Sequence, residues 1–196
     1  NKMITIAGAL EDGVDTPTST HPVPDHLQIY DRTFTDHDLH PTVPWSTTDV
    51  LVKSSNIGTI QIARRLGAER VDHYLRSFGL GRQTGLGFAG ESAGIERPVD
   101  EWSGVDIGAI PIGQGMSVTA LQMLAAYNVI ANEGRYVAPK MVAATDAGKG
   151  RTATEPSAPR RVIAVDTARA MRAMLDKVVQ EGTGLIVPAT KAEVAG

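Results

Sequence analysis

The chain has 196 residues, of which 42% are hydrophobic and 21% charged, with 20 glycines and 11 prolines. This composition is that of an ordinary globular protein and excludes collagen-like and disordered classes. The formal net charge is only −3 and the 19 Lys and Arg residues are scattered, so the sequence indicates no surface for nucleic acid. The absence of cysteine excludes disulfides, thiolate zinc sites and cysteine nucleophiles. The longest apolar stretches, such as residues 3–10, are far shorter than the roughly 20 residues of a membrane span.

The first half of the chain is predicted to alternate helices with one irregular segment. Apolar residues at helical spacing and the glycines that follow them mark each helix and its end. Prolines, aspartates and threonines mark the irregular segment, which we interpret as a loop-rich insert. The predicted elements are a helix over 2–10, the insert over 14–45 with a strand-like piece at 27–30, a capped turn from Ser46 and Asp49 through Lys53, and helices over 57–66 and 68–78.

The second half contains the strongest helix signal, a T-x-x-Q capping box formed by Thr119 and Gln122. We expect this helix to cover 119–132 and to turn an apolar stripe toward the core. The stripe consists of Leu121, Leu124, Ala125 and Val129. The other predicted elements are turns and short strands over 79–115, strands over 136–144 and 161–165, and a last amphipathic helix capped by Asp166 and closed by Gly182 and Gly184.

Histidine and aspartate residues are concentrated in the insert, and together they raise the possibility of a metal site. Imidazole and carboxylate groups both bind Zn²⁺. However, part of the cluster lies in a proline-flanked segment without regular geometry, and the same residue types are common in surface loops. We therefore predict exposed loop residues and keep a metal-binding loop as an alternative. The residues concerned are His21, His26, His37, His40, Asp25, Asp31, Asp36 and Asp38.

A short polar segment, Ser54-Ser55-Asn56, interrupts the helical pattern, and alone it resembles an ordinary helix boundary. Together with segments further along the chain, it resembles the transpeptidase domain of class B penicillin-binding proteins. That family carries an S-x-N motif, often as Ser-Ser-Asn-Ile, which the run 54–57 matches. The later matches, in the family's order, are Phe78-Gly79-Leu80-Gly81 with Thr84-Gly85 and Gly90-Glu91, Ile112-Gly113-Gln114-Gly115 continuing through Thr119 to Gln122, and Ala131-Asn132-Glu133-Gly134.

Two further motifs of the family are expected at the ends of this segment. In the S-x-x-K motif a serine precedes a lysine by three residues on a helix, and Lys2 before an apolar run is similar to that lysine. The serine would then lie two residues before Asn1. The third motif, K-T-G, commonly follows a Val-Ala-Gly stretch such as 194–196, and residues 190–196 have the pattern of a strand that begins there.

The resemblance implies an α/β (α+β) fold of the penicillin-recognising serine transpeptidase and β-lactamase type, with a helical cluster packed on an antiparallel sheet. The whole chain, 1–196, would be part of one such domain. Lysine and serine three residues apart share a helix face, so a neutral Lys2 would take the proton of the nucleophilic serine. Ser54 would relay a proton to the leaving amine, and Asn56 would hold Lys2 and bind the substrate backbone. Residues 113–115 would be scaffold beneath the site.

The family also implies a bacterial peptidoglycan cross-linking enzyme, with stem peptides as substrates and β-lactam antibiotics as covalent ligands. It implies no cofactor and no metal. Its members have a membrane anchor upstream, a catalytic domain outside the cytoplasm, and partners among the membrane proteins of division or elongation. Three alternatives stay open at this point: a hydrolytic relative, either a D,D-carboxypeptidase or a serine β-lactamase, a non-catalytic interaction module, and the metal-binding loop.

Overall fold

A computed structural model describes residues 1–146, 148 and 150–183. This part of the chain contains seven α-helices and eight short strands. In order they are α1 (Lys2–Glu11), β1 (Thr20–Val23), β2 (His26–Ile29), β3 (Arg32–Thr35), β4 (Val43–Ser46), α2 (Thr47–Val52), α3 (Asn56–Leu66), α4 (Ala68–Ser77), α5 (Asp106–Ala109), α6 (Ala120–Ala131), β5 (Arg135–Tyr136), β6 (Ala144–Asp146), β7 (Arg151–Ala153), β8 (Arg160–Arg161) and α7 (Val165–Glu181).

Helix α1 lies at the centre of the helical cluster. Its residues from Met3 to Ala9 are buried without interruption, because α1 packs against α3, α4 and α7 on different sides. A side chain at Gly8 would overlap the ring of Tyr74 in α4, with its Cβ only 2.3 Å from the nearest ring carbon. The glycine therefore sets the close approach of α1 and α4 that brings the start of α1 to its place beside α3.

The insert over 14–45 is more regular than predicted. It holds four strands rather than the one strand-like piece expected at 27–30. Strands β2 and β3 form a hairpin, with Leu27 opposite Phe34, and β1 pairs antiparallel with β4, with His21 opposite Trp45. The prolines misled the prediction, since they occupy positions such as Pro22 and Pro44 on the short β1–β4 ladder, where a missing N–H is tolerated.

Helix α6 begins with the predicted capping box: the Thr119 hydroxyl accepts from the Gln122 N–H, and the Gln122 carboxamide accepts from the Thr119 N–H. The Gln122 amide group also donates to the carbonyls of Arg82 and Ala93, at 2.7 and 2.9 Å, and so ties the preceding loop to α6. The prediction that Leu124 faces the core is wrong, because 66% of this residue is exposed.

The two strands predicted after α6 are largely wrong. Strand β5 covers only 135–136 and pairs with β8 over 160–161, while the rest of 137–143 has no strand partner. The hydrogen bonds to this segment do not form a ladder: the Ala138 N–H donates to the Ser157 hydroxyl, and the Ala143 carbonyl accepts from the Thr154 N–H. The predicted turns over 79–115 also contain the short helix α5.

The last helix, α7, follows the predicted pattern, with Met171, Met174 and Leu175 buried. Its predicted cap, Asp166, is wrong. The helix begins after Ala164, and the carboxylate of Glu11 at the end of α1 accepts from the Ala164 N–H at 2.9 Å and from the Thr167 hydroxyl at 2.5 Å. A carboxylate from a different helix therefore occupies the positive end of α7.

The strands form four separate two-stranded ladders within the described residues. The strand expected over 190–196 and Gly184 lie outside the described residues. No helix in the described ranges is long and apolar enough to cross a membrane. The described part mixes helices and strands, as an α/β fold requires, and its antiparallel pairing is limited to these two-stranded ladders rather than the predicted sheet beneath the helices.

Candidate active site

The start of α1 and the turn before α3 meet at one point, although their residues are 52 positions apart in the chain. The Lys2 ammonium nitrogen, Nζ, lies 2.9 Å from the hydroxyl oxygen of Ser54. The same nitrogen donates to the Ser54 carbonyl at 2.5 Å. The predicted neighbourhood of Lys2 and Ser54 is therefore confirmed as geometry, while their catalytic roles stay predictions.

Ser54 has a backbone conformation that suits a functional turn. Its φ angle is +55°, in the left-handed region that a non-glycine residue rarely adopts. This conformation costs about 1–3 kcal/mol elsewhere in proteins and persists only where surrounding contacts hold it. Here the Ser54 N–H donates to the carbonyl of Leu51, and the following Ser55 N–H donates to that of Val50. The turn thereby presents the carbonyl and the hydroxyl of Ser54 together to Lys2.

Asn56 is the first residue of α3, and its side chain is oriented differently from the prediction. Its amide nitrogen Nδ2 donates to the carbonyl of Thr35 in β3 at 2.8 Å. Among the described residues, Lys2 has hydrogen bonds to Ser54 and none to Asn56. The expectation that Asn56 holds Lys2 is therefore not met, whereas its proposed contact with a substrate remains a prediction.

The insert supplies a carboxylate to the same turn. Asp36 follows β3, and its Oδ1 accepts from the backbone N–H groups of Asn56 at 2.5 Å and Ile57 at 3.0 Å. Its Oδ2 accepts from the Ser55 hydroxyl at 2.7 Å, and Nε2 of His40 lies 3.2 Å from the same oxygen. The sequence analysis connected Asp36 and His40 only with a possible metal site and missed this role. Strand-to-helix contacts of this kind leave no local signal in a sequence.

The electrostatics of the site act on the charge of Lys2. Burial lowers the pKa of Lys2 below its ordinary value, because the ammonium loses solvation, and the Asp36 carboxylate opposes this by favouring the charged form. A lysine with a lowered pKa is neutral in a larger fraction of molecules at neutral pH and can then accept a proton. The arrangement therefore provides a candidate general base beside a hydroxyl.

A cavity of about 270 Å³ opens beside Lys2 and Ser54. Ile112, Tyr127 and Leu175 are among its apolar walls. The segment that follows α5 contacts the start of α1. The Asn1 side-chain amide donates to the carbonyl of Ile110 at 3.0 Å, and the Thr5 hydroxyl donates to the carbonyl of Pro111. These contacts are made by residues 110 and 111, and the scaffold role of residues 113–115 stays a prediction.

The histidines of the insert do not assemble into a metal centre. Each pairs with a different aspartate: His21 with Asp15, His26 with Asp25, His37 with Asp38, and His40 with Asp36. Within the ranges that the structure describes, no group of three or more histidine or acidic side chains is arranged to hold a metal ion. His21 also departs from the surface-loop prediction, because it is buried against Asp15 and the hydroxyl of Thr47.

Comparisons with known protein families identify the family of this chain. The sequence profile described as "Penicillin binding protein transpeptidase domain" matches residues 1–196. The chain belongs to the penicillin-binding protein transpeptidase family, and its fold is that of the family's α/β transpeptidase domain.

Individual relatives support the same family assignment. Over 205 residues the chain is 42% identical to penicillin-binding protein PbpB of Mycolicibacterium smegmatis. The match covers 100% of this chain and 32% of that protein. It is 28% identical to the probable peptidoglycan D,D-transpeptidase PbpC of Pseudomonas aeruginosa, over 94% of this chain and 31% of the relative. Crystal structures of penicillin binding protein 3 from Mycobacterium tuberculosis, in its apo form and with aztreonam or ampicillin, superimpose with a TM-score of 0.88 and 41% identity, covering 93% of this chain and 41% of theirs. The chain thus spans about a third of the length of these curated relatives.

Proposed function

We propose that the protein carrying this chain is a peptidoglycan D,D-transpeptidase that cross-links stem peptides of the bacterial cell wall through a serine acyl-enzyme. One observation carries the proposal: the contact of Lys2 Nζ with the Ser54 hydroxyl at 2.9 Å, in a chain that matches the penicillin-binding protein transpeptidase domain over residues 1–196. The printed name of the Pseudomonas relative, a probable peptidoglycan D,D-transpeptidase, supports the reaction.

The proposed reaction begins with a serine expected two residues before Asn1. Neutral Lys2 takes the hydroxyl proton while the serine oxygen forms a bond to the penultimate D-alanine carbonyl carbon. The carbon–nitrogen bond to the terminal D-alanine then breaks, and the proton passes from Lys2 through the Ser54 hydroxyl to the leaving amine. An amine of a neighbouring stem peptide then attacks the ester carbon, the bond from that carbon to the serine oxygen breaks, and the amine proton passes through Lys2 to the serine oxygen. The 2.9 Å separation of Lys2 and Ser54 is short enough for that proton transfer.

We further propose that β-lactams acylate the same serine, because the amide carbonyl of a β-lactam can be attacked by the serine oxygen in the same way as the D-alanyl carbonyl. The aztreonam and ampicillin complexes of the Mycobacterium tuberculosis relative support this ligand class. The membrane anchor, the location outside the cytoplasm and the division or elongation partners are proposals that rest on family membership alone.

The test is covalent labelling of the full-length protein with a fluorescent penicillin. Lys2→Ala is expected to slow acylation by about 10²–10⁴-fold, the contribution of a general base. Lys53→Ala is the matched control, because Lys53 is an exposed lysine next to the same turn, and its labelling rate is expected to stay at the wild-type value. Equal rates for the Lys2→Ala variant and the wild type would remove Lys2 from the mechanism, and an unlabelled wild type would contradict the proposed function.

A further inference from the structure

The carboxylate of Asp36 lies at the N-terminus of α3 without belonging to that helix. Helix α3 already has a cap of its own, since the Ser55 hydroxyl accepts from the Gly58 N–H at 2.9 Å. Asp36 adds acceptors for two more of the free N–H groups, those of Asn56 and Ile57. It also accepts a hydrogen bond from the Ser55 hydroxyl, so a single carboxylate binds all three residues that follow Ser54.

The Asp36 carboxylate is itself held from the other side by His40. Only 6% of the Asp36 side chain and 15% of the His40 side chain are exposed. Nδ1 of His40 lies 2.7 Å from the Pro41 carbonyl, which can only accept, and Nε2 faces the carboxylate. Both ring nitrogens therefore donate, as they do in an imidazolium. The ring also packs against Trp45, with 4.6 Å between centroids.

The charges around this pair favour the doubly protonated ring. The backbone carbonyl of Pro41 and the carboxylates of Asp36 and Asp25 raise the pKa of His40, while burial opposes them. Asp25 is also paired with His26, whose side chain is largely exposed. Lys2 faces Asp36 from α1. The titratable and charged groups facing this pair are thus Asp25, His26 and Lys2.

We propose that Asp36 is a positioning residue for the acyl-transfer reaction, and that His40 locks it: the carboxylate holds the Ser54–Asn56 turn in register with Lys2 and supplies negative charge beside the Lys2 ammonium. The inference rests on the proposed function, since it assigns Asp36 a part in the same site. Asp36 touches neither substrate nor the reacting atoms, and its influence passes through Ser54, Asn56 and Lys2.

Two separate effects follow from this arrangement. The first is geometric: without Asp36, the turn at Ser54 loses the carboxylate that binds the Ser55 hydroxyl and the N–H groups of Asn56 and Ile57. The second is electrostatic: removal of the carboxylate takes away a charge that favours the Lys2 ammonium, so Lys2 becomes neutral at a lower pH. A residue with a purely structural role produces neither a change in the rate of the folded protein nor a displaced pH profile.

The experiment measures the second-order rate constant of acylation by a penicillin in the full-length protein, from about pH 5.5 to 9.5, with melting temperatures recorded in parallel. Asp36→Asn is expected to lower the plateau about 10–100-fold, as a misplacement of about 1 Å does in other enzymes. It is also expected to move the acidic limb of the profile, which reports neutral Lys2, to lower pH. Asp38→Asn is the matched control: its side chain is 91% exposed, and neither plateau nor limb is expected to change.

A second pair of variants keeps the inference testable if Asp36→Asn does not fold. His40→Gln removes the charged partner of Asp36 and leaves the carboxylate in place, and it is expected to lower the plateau about threefold to tenfold. His37→Gln, at a side chain that is 97% exposed, is its control. If the wild type is acylated and Asp36→Asn has the same plateau and the same acidic limb, this inference alone is overturned. The same holds if Asp36→Asn has a lower plateau but an unmoved acidic limb. A wild type that is not acylated contradicts the proposed function and this inference with it.

Discussion

Two acidic side chains, Asp36 and Glu96, are almost completely inaccessible, and the chain treats them in opposite ways. The Asp36 carboxylate accepts from two backbone N–H groups and a hydroxyl and faces an imidazole. The Glu96 side chain is 1% exposed, and neither of its oxygens has a hydrogen-bond partner in the part of the chain that the structure describes. Its nearest cation is Arg76, whose Nη1 lies 3.7 Å from Oε2.

Hydrogen-bond partners offset the desolvation cost of a buried carboxylate, and Glu96 lacks them within the described residues. Burial raises the pKa of Glu96 to about 7. The Arg76 guanidinium opposes this, while the negative charge of Asp72, which pairs with the same guanidinium, adds to it. Asp36 has its partners because it meets the free end of a helix, and that helix carries the S-x-N turn. A fully hydrogen-bonded carboxylate thus lies next to the functional site, and an unpartnered one lies away from it.

Removal of the well-bonded carboxylate is expected to have the largest effect on stability. Asp36→Ala leaves the N–H groups of Asn56 and Ile57 without an acceptor and should lower the free energy of unfolding by about 2–4 kcal/mol. Urea unfolding at pH 7 measures it, and Asp38→Ala, at an exposed position, should stay within about 0.5 kcal/mol of the wild type. Similar losses for the two variants would show that the Asp36 contacts do not hold the fold together.

Neutralisation of the unpartnered carboxylate is expected to act in the opposite direction. The pKa of Glu96 is about 7 in the folded protein and 4.5 ordinarily, so the folded state binds the proton more tightly and loses stability as pH rises from about 4.5 to 7. Glu96→Gln should therefore stabilise the protein at pH 8 by up to about 3 kcal/mol. The gain should vanish near pH 4.5. Thermal unfolding at both pH values tests this, and a destabilised variant at pH 8 would contradict the account.

A third carboxylate reaches a helix from a distance, and the expected effect is smaller. Glu11 caps α7, so Glu11→Gln should lower the free energy of unfolding by about 0.5–1 kcal/mol through the loss of charge at the helix N-terminus. Asp166→Asn is the matched control, because Asp166 lies in the first turn of α7 with a side chain that is 94% exposed. The control should change stability by less than Glu11→Gln, and the reverse order would restore Asp166 as the cap.

The same contrast explains what the sequence predicts and what it does not. Helices α1, α3, α4, α6 and α7 were predicted to within a few residues, because periodicity and the capping boxes at Ser46 and Thr119 are local signals. The contact of Lys2 with Ser54 was predicted only through the family's motifs. Asp36 and Glu11 were missed because each binds a helix start far along the chain. The strand predicted over 136–144 failed for the same reason, since pairing depends on a distant partner.

The central claim is that Lys2 and Ser54 form the acyl-transfer site, and a structure of the full-length protein after reaction with a penicillin tests it most directly. The account predicts a penicillin-derived acyl group on a serine next to Lys2, with Lys2 Nζ and the Ser54 hydroxyl still within about 3.5 Å of each other. It also predicts the Asp36 carboxylate in place at the start of α3. An acyl group attached to a residue remote from this turn, or Lys2 and Ser54 separated in the complex, would contradict the claim.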